Sequence, residues 1–183
     1  MSLQRWHIVD SEQLLDARIF QVHRVRERLG HGGGEHDFFV LGGTDWCNII
    51  PLTDAGEVVM VRQFRHGTRE VTLEVPGGLV DPQDASPLEA ARRELLEETG
   101  YAADRVEPLG VIDPNPAFLR QRCHTMVGRG ARRVSSPHPD EREELEVVLV
   151  PVSDIPAAIA DRSIAHALTV VAFTWLFGLG GPR

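Results

Sequence analysis

The sequence predicts a compact α/β fold, and three observations carry that expectation. Short apolar runs are separated by turn signals along most of the 183 residues. Helical patterning replaces strand patterning once near the middle and again at the C-terminal end. A hydrophobic content of 42% over this length fills one core, so one domain of ordinary size is expected, with room for a small appendage.

Residues 17–28 partly alternate, 30–34 form a glycine-rich hinge, and 37–41 resume a strand pattern, which predicts an N-terminal hairpin. Residues 46–52 and 57–64 flank Thr53-Asp54-Ala55-Gly56, whose Asp and Gly suit a tight antiparallel connection. Residues 70–75 read as a strand that stops at Pro76-Gly77-Gly78. Ser86 then offers an N-cap and Pro87 a first-turn proline for a helix over 87–99, with Gly100 as its stop. Residues 106–112 and 123–127 read as strands joined by the proline-containing loop 113–122. An acidic loop, 140–144, leads into a strand over 145–150, and the end is helical over 153–161 and from 164 to about 177.

Composition narrows the function. The formal net charge is -8 and no run of Lys or Arg forms the basic stripe that duplex nucleic acid requires, so no nucleic-acid partner is expected. The first thirty residues lack the apolar stretch of a secretory signal. Residues 164–179 are the most apolar, but His166, Thr169 and Thr174 interrupt them and they fall short of the roughly 20 residues of a bilayer span. No membrane association is expected. Cys47 and Cys123 match no metal-ligand spacing and read as free thiols of a reducing compartment, so a cytoplasmic setting is expected.

The informative helix carries Arg93, Glu94, Glu97 and Glu98. Spacings of three and four residues put Glu94 beside both Glu97 and Glu98 on one surface. Like charges so placed destabilise an isolated helix by a few tenths of a kcal/mol per pair, and a cation between them supplies a reason for their presence. Oxygen-only ligands suit a hard cation, magnesium or manganese. Taken alone, Arg-Glu-Leu-Leu-Glu-Glu reads as a solvated charged face. The glycine pair at the preceding strand end changes that reading, because a missing side chain lets backbone approach a metal or phosphate.

The segment Gly78-Leu-Val-Asp-Pro-Gln-Asp84, followed by Arg93-Glu94-Leu95-Leu96-Glu97-Glu98-Thr99-Gly100-Tyr101, closely resembles the box of the Nudix hydrolases. The second half of that pattern is complete. In the first half, counting forward from Gly78 reaches Asp84 where Glu stands in the family, while counting back from Arg93 reaches Ala85. One residue is inserted and the acid is shortened, in the loop and not on the helix. Arg62-Gln-Phe-Arg65, Leu73-Glu74-Val75-Pro76-Gly77-Gly78 and Pro116 extend the resemblance to the ADP-ribose and nucleotide-sugar branch, as does the closing segment 164–175.

The resemblance implies a mixed sheet sandwiched between helices, with a dimerising N-terminal β extension over 1–42, a catalytic domain over 43–183, and a homodimer. It implies a Mg2+-dependent enzyme, with Mn2+ as an alternative, that hydrolyses the pyrophosphate of a nucleotide sugar or ADP-ribose to a nucleoside monophosphate and a sugar phosphate. A dedicated ADP-ribose pyrophosphatase and a non-catalytic nucleotide sensor are the competing readings. Glu94 and Glu98 are the implied main metal ligands, with Glu97 and the Gly77 carbonyl in addition, and Arg93 orients the glutamates. Arg65, Glu74 and Gly78 belong to the implied substrate site. Glu141 is the implied general base, and Glu143 the second choice.

Overall fold

The structure is a computed structural model that describes residues 3–30, 32–138 and 144–178. The chain divides into two compact units, one of Met1–Thr44 with Asp113–Arg122, the other of Asp45–Ile112 with Cys123–Arg183.

In the first unit, β1 (Trp6–Asp16), β2 (Gln21–Leu29) and β3 (Glu35–Gly42) form an antiparallel sheet in that order. The expected hairpin is the pair β2 and β3. Strand β1 was not expected: all its residues are exposed, and register shifts at Ile8/Asp10 and Gln13/Leu15 break the alternation that would have marked it. Alternate residues of β2 carry ion pairs to both neighbours, Arg24 with Glu12 at 2.7 Å, Arg26 with Asp37 at 2.7 Å, and Arg28 with Glu35. Exposed pairs add little stability, but cross-strand charge matching opposes a slip in register. The Leu41 N–H donates to the Phe118 carbonyl at 2.7 Å, and the Leu41 carbonyl accepts from Arg120 at 3.0 Å, which ties loop 113–122 to β3.

The second unit is a mixed seven-stranded sheet. Its strands are β4 (Trp46–Leu52), β5 (Glu57–Arg65), β6 (Glu70–Glu74), β7 (Gly77–Leu79), β9 (Arg105–Ile112), β10 (Cys123–Arg129) and β12 (Leu145–Pro151). A separate two-stranded ladder pairs β8 (Tyr101–Ala102) with β11 (Arg132–Arg133). The main order is β12-β5-β4-β10-β9, with β10 parallel to β4 and the remaining pairs antiparallel. Gly56, at φ +77°, makes the turn between β4 and β5.

These two strands pair only at Leu52↔Val58. Beyond that point β6 takes the edge of β5 and β7 takes the edge of β4, so the chain crosses from one to the other at Val75-Pro76. The Pro76 carbonyl, accepting from Ile49 N–H at 2.9 Å, fixes the crossing. It sets Gly77 opposite Asn48 and Gly78 opposite Cys47.

Both faces of this sheet are covered. Helix α1 (Pro87–Thr99) packs Ala90, Ala91 and Leu95 against Cys47, Ile49 and Met126. On the other face, Ile155 of α2 (Ile155–Ala160) and Ala172 and Phe173 of α3 (Ala167–Leu176) pack with Ile50, Val58 and Met60. Alternation along β4 sends Ile49 to one core and Ile50 to the other. No helix among the described residues is long and apolar enough to cross a membrane.

Candidate functional site

Helix α1 is held at both ends as its sequence dictates. The Ser86 hydroxyl accepts from Glu89 N–H at 3.3 Å, Pro87 opens the first turn, and Gly100 at φ +72° closes the last by donating to the Leu96 carbonyl at 2.9 Å. With Leu95 and Ala91 anchored in the core, Glu94, Glu97 and Glu98 are directed along the flank that borders β7.

Arg93 organises that flank. Its Nε and Nη2 grip the two Asp84 oxygens at 3.1 and 3.0 Å, its Nη1 donates to Glu94 and to Glu97 at 2.9 Å each, and Nη2 also reaches the Leu79 carbonyl at 3.1 Å. The Asp84 bonds, followed by the field of Glu94, raise the Arg93 pKa despite partial burial. In return, the Arg93 bonds hold the Asp84 carboxyl below its usual range. The inserted residue is therefore absorbed by the loop: Asp84 still reaches the helix arginine, and Asp81 N–H donates back to Asp84 at 2.8 Å.

Glu98 is only 4% exposed, and its carboxylate accepts from Gly77 N–H at 3.0 Å. This bond joins the helix to the strand crossing. A Cβ at Gly78 would stand 2.7 Å from Glu94 Cδ, and one at Gly77 would stand 2.7 Å from Asn48 Cα. At Gly77 the approach is to backbone, which requires glycine, whereas at Gly78 it is to the end of the Glu94 side chain, which a Cβ would displace.

The chemical type of the donors suits a hard divalent cation. They are carboxylate oxygens, and the absence of a side chain at Gly78 leaves the Glu94 carboxylate space beside the strand. Among the described residues no group of three His, Cys, Asp or Glu side chains is arranged to hold a metal ion. Arg93 draws on Glu94 and Glu97, and the Gly77 N–H holds Glu98.

A second cluster lies at the end of β6. Arg65 makes a two-pronged bond to Glu74, 2.8 Å from Nε to Oε1 and 2.7 Å from Nη2 to Oε2. Glu74 is 1% exposed and also meets Thr72 and His166. Burial alone would push its carboxyl up, but hydrogen bonds from Arg65, His166 and Thr72 outweigh burial and hold it far below the carboxylate range. Buried and doubly bonded to it, Glu74 anchors the guanidinium of Arg65.

Glu141 and Glu143 lie outside the described residues. Sequence reasoning missed Thr72, Thr169 and His166 as site neighbours, since none stands in a charged or glycine-rich pattern. It also missed Asp84 as the main partner of Arg93, although a shortened acid near the motif position was a signal. Both cysteines are free and buried, and burial pushes each thiol up to about 12, which makes them packing residues. His124, read as a hydrogen-bonded histidine, places Nε2 2.9 Å from Asp45 Oδ2.

Comparison with known proteins places these features in a family. The family model described as NUDIX domain matches residues 47–168. The chain is 26% identical over 171 residues to an ADP-ribose pyrophosphatase of Mycobacterium tuberculosis, covering 93% of this chain and 82% of that protein. It is 32% identical over 166 residues to a GDP-mannose pyrophosphatase of Yersinia enterocolitica, covering 86% and 80%. A crystal structure of an ADP compounds hydrolase superposes with a TM-score of 0.85 at 26% identity, covering 97% of this chain and 95% of that one.

Proposed function

The chain belongs to the Nudix hydrolase family, and on that premise we propose that it hydrolyses the pyrophosphate bond of a nucleoside diphosphate linked to a sugar, with Mg2+ as the working cation. The observation that carries this reading is the single assembly of Arg93, the helix glutamates and the Gly77-Gly78 strand. The relatives named for ADP-ribose and GDP-mannose support the substrate class.

Glu94 and Glu98 are the residues that would hold the cation, with Glu97 and the Gly77 carbonyl as further oxygens. When bound, magnesium supplies positive charge against the negative charge that gathers on the phosphate oxygens. Arg93 keeps Glu94 and Glu97 in place without touching substrate. Arg65 presents its guanidinium to the diphosphate, and Glu74 fixes its direction. Water attacks one phosphorus, the bond to the bridging oxygen breaks, and the water's proton passes to a carboxylate of the acidic loop. We assign that role to Glu141, with Glu143 as the second choice.

The first unit exposes Trp6, Ile8 and Phe38, which stand opposite Leu29, Glu27 and Val25 of β2 and so share one face of the sheet. This patch supports a homodimer through the N-terminal sheet. The two unpaired cysteines support a cytoplasmic setting.

The test is product identification with magnesium across ADP-ribose, ADP-glucose and GDP-mannose. Release of a nucleoside monophosphate and a sugar phosphate from more than one of them is expected. Cleavage of ADP-ribose alone makes the enzyme a dedicated ADP-ribose pyrophosphatase, and binding without turnover contradicts catalysis and leaves a nucleotide sensor.

A further inference from the structure

His166 stands immediately before α3, and its imidazole points back to the end of β6. Nδ1 lies 2.8 Å from Glu74 Oε2 and 3.1 Å from Thr169 Oγ1. Two further contacts stitch the start of the helix to the sheet: Val75 N–H donates to Thr169 Oγ1 at 3.3 Å, and Asn48 Nδ2 donates to the Leu168 carbonyl at 3.5 Å. The start of the helix that follows His166 is thereby fastened to the sheet.

A carboxylate offers about four lone-pair sites and is costly to bury unless donors fill them. Four donors meet Glu74: Arg65 through Nε and Nη2, the Thr72 hydroxyl, and His166 Nδ1. Since an ionised carboxylate only accepts, Nδ1 carries the hydrogen. Arg65 Nη2 and His166 Nδ1 share one oxygen, Oε2. The direction of the Arg65 fork therefore depends on how Oε2 is held, and His166 holds it from the opposite element.

We propose that His166 is a positioning residue for substrate binding, which acts through the buried Glu74 carboxylate to fix the guanidinium of Arg65. It rests on the reading that Arg65 contacts the substrate diphosphate. Loss of the imidazole donor leaves one Glu74 lone pair without its partner and lets the carboxylate turn. The guanidinium then loses its fixed aim, so substrate binding weakens while the bond-breaking step at the helix glutamates is unaffected.

The test compares KM and kcat of the whole protein for ADP-ribose in His166→Leu, His166→Asn, Arg65→Ala and the His166→Leu/Arg65→Ala double variant, with melting temperatures alongside. Leu keeps apolar bulk without a donor, whereas the Asn amide replaces the Nδ1 donor. The expected result is a rise in KM of about 3- to 10-fold for Leu with kcat within about 2-fold, and a smaller rise for Asn. In the Arg65→Ala background, Leu should add nothing, because the group it positions is gone. An unchanged KM in His166→Leu beside a raised KM in Arg65→Ala overturns the proposal alone, as does an equal KM rise in both backgrounds. An unchanged KM in Arg65→Ala overturns the reading of Arg65 and takes the proposal with it. A lower melting temperature with normal KM makes His166 a structural residue and also overturns the proposal.

Discussion

Replacing Arg93 by Leu removes the shared partner of Asp84, Glu94 and Glu97 while keeping a side chain that suits the helix. Asp84 is 8% and Glu94 14% exposed, so two carboxylates lose a guanidinium where water screens poorly. Breaking a fully buried pair from one side costs about 3–5 kcal/mol, and an exposed pair about 0–1 kcal/mol. Arg93, 27% exposed, lies between these limits, which gives a loss of roughly 1.5–3 kcal/mol. At about 2–4 °C per kcal/mol for a chain of this size, the melting temperature should fall by about 3–12 °C. Circular dichroism at neutral pH, without metal and with excess magnesium, reads this directly, and magnesium should recover part of the loss by supplying the missing positive charge. The sign with pH follows from Asp84. Its folded pKa is depressed, so the stability it contributes is present above the ordinary Asp value of about 3.9 and is lost as pH falls through the folded value. The gap between wild type and Arg93→Leu should therefore narrow on acidification from neutral pH to below about 4. A melting temperature within about 1 °C of wild type at neutral pH, or a gap that stays constant in acid, refutes the assignment of Arg93 as the electrostatic hub.

Two further variants probe neighbouring parts of the site. Gly78→Ala puts a Cβ against the Glu94 carboxylate and should raise the magnesium requirement and lower kcat/KM by about 10- to 100-fold, with the fold retained; a magnesium titration of initial rates checks it. Glu141→Gln should lower the maximal rate at least about 100-fold in single-turnover kinetics at saturating magnesium, the range of a lost general base. A large defect only in Glu143→Gln moves the role to that residue, and none in either removes the loop from the chemistry.

Strong local signals made much of the fold legible. The N-cap at Ser86, the proline at 87 and the left-handed Gly100 delimit α1 at Pro87–Thr99 as its sequence predicted, since each acts through its own backbone within one turn. The turn at Gly56 was legible for the same reason. Strand β1 was not, because an exposed strand with two register shifts has no alternating pattern to read. The short strand β7 was hidden too, as the residues that pair there are the glycines a sequence reader treats as a stop. In the site, the helix glutamates and Arg93 announce themselves by spacing along one helix. The link from Glu74 to His166 spans distant segments and is made only when α3 folds back to β6.

The most direct measurement is turnover of ADP-ribose across a magnesium titration for wild type and Glu98→Gln, with melting temperatures measured in parallel. Glu98 accepts from Gly77 N–H, and the Gln carbonyl can keep that bond, so the substitution removes charge while preserving the link between helix and strand. The prediction is a melting temperature within a few degrees of wild type, a rate at least about 100-fold lower at every magnesium concentration, and no wild-type turnover in excess chelator. Wild-type-like turnover by Glu98→Gln, or full wild-type activity in excess chelator, would contradict a cation held by the α1 glutamates.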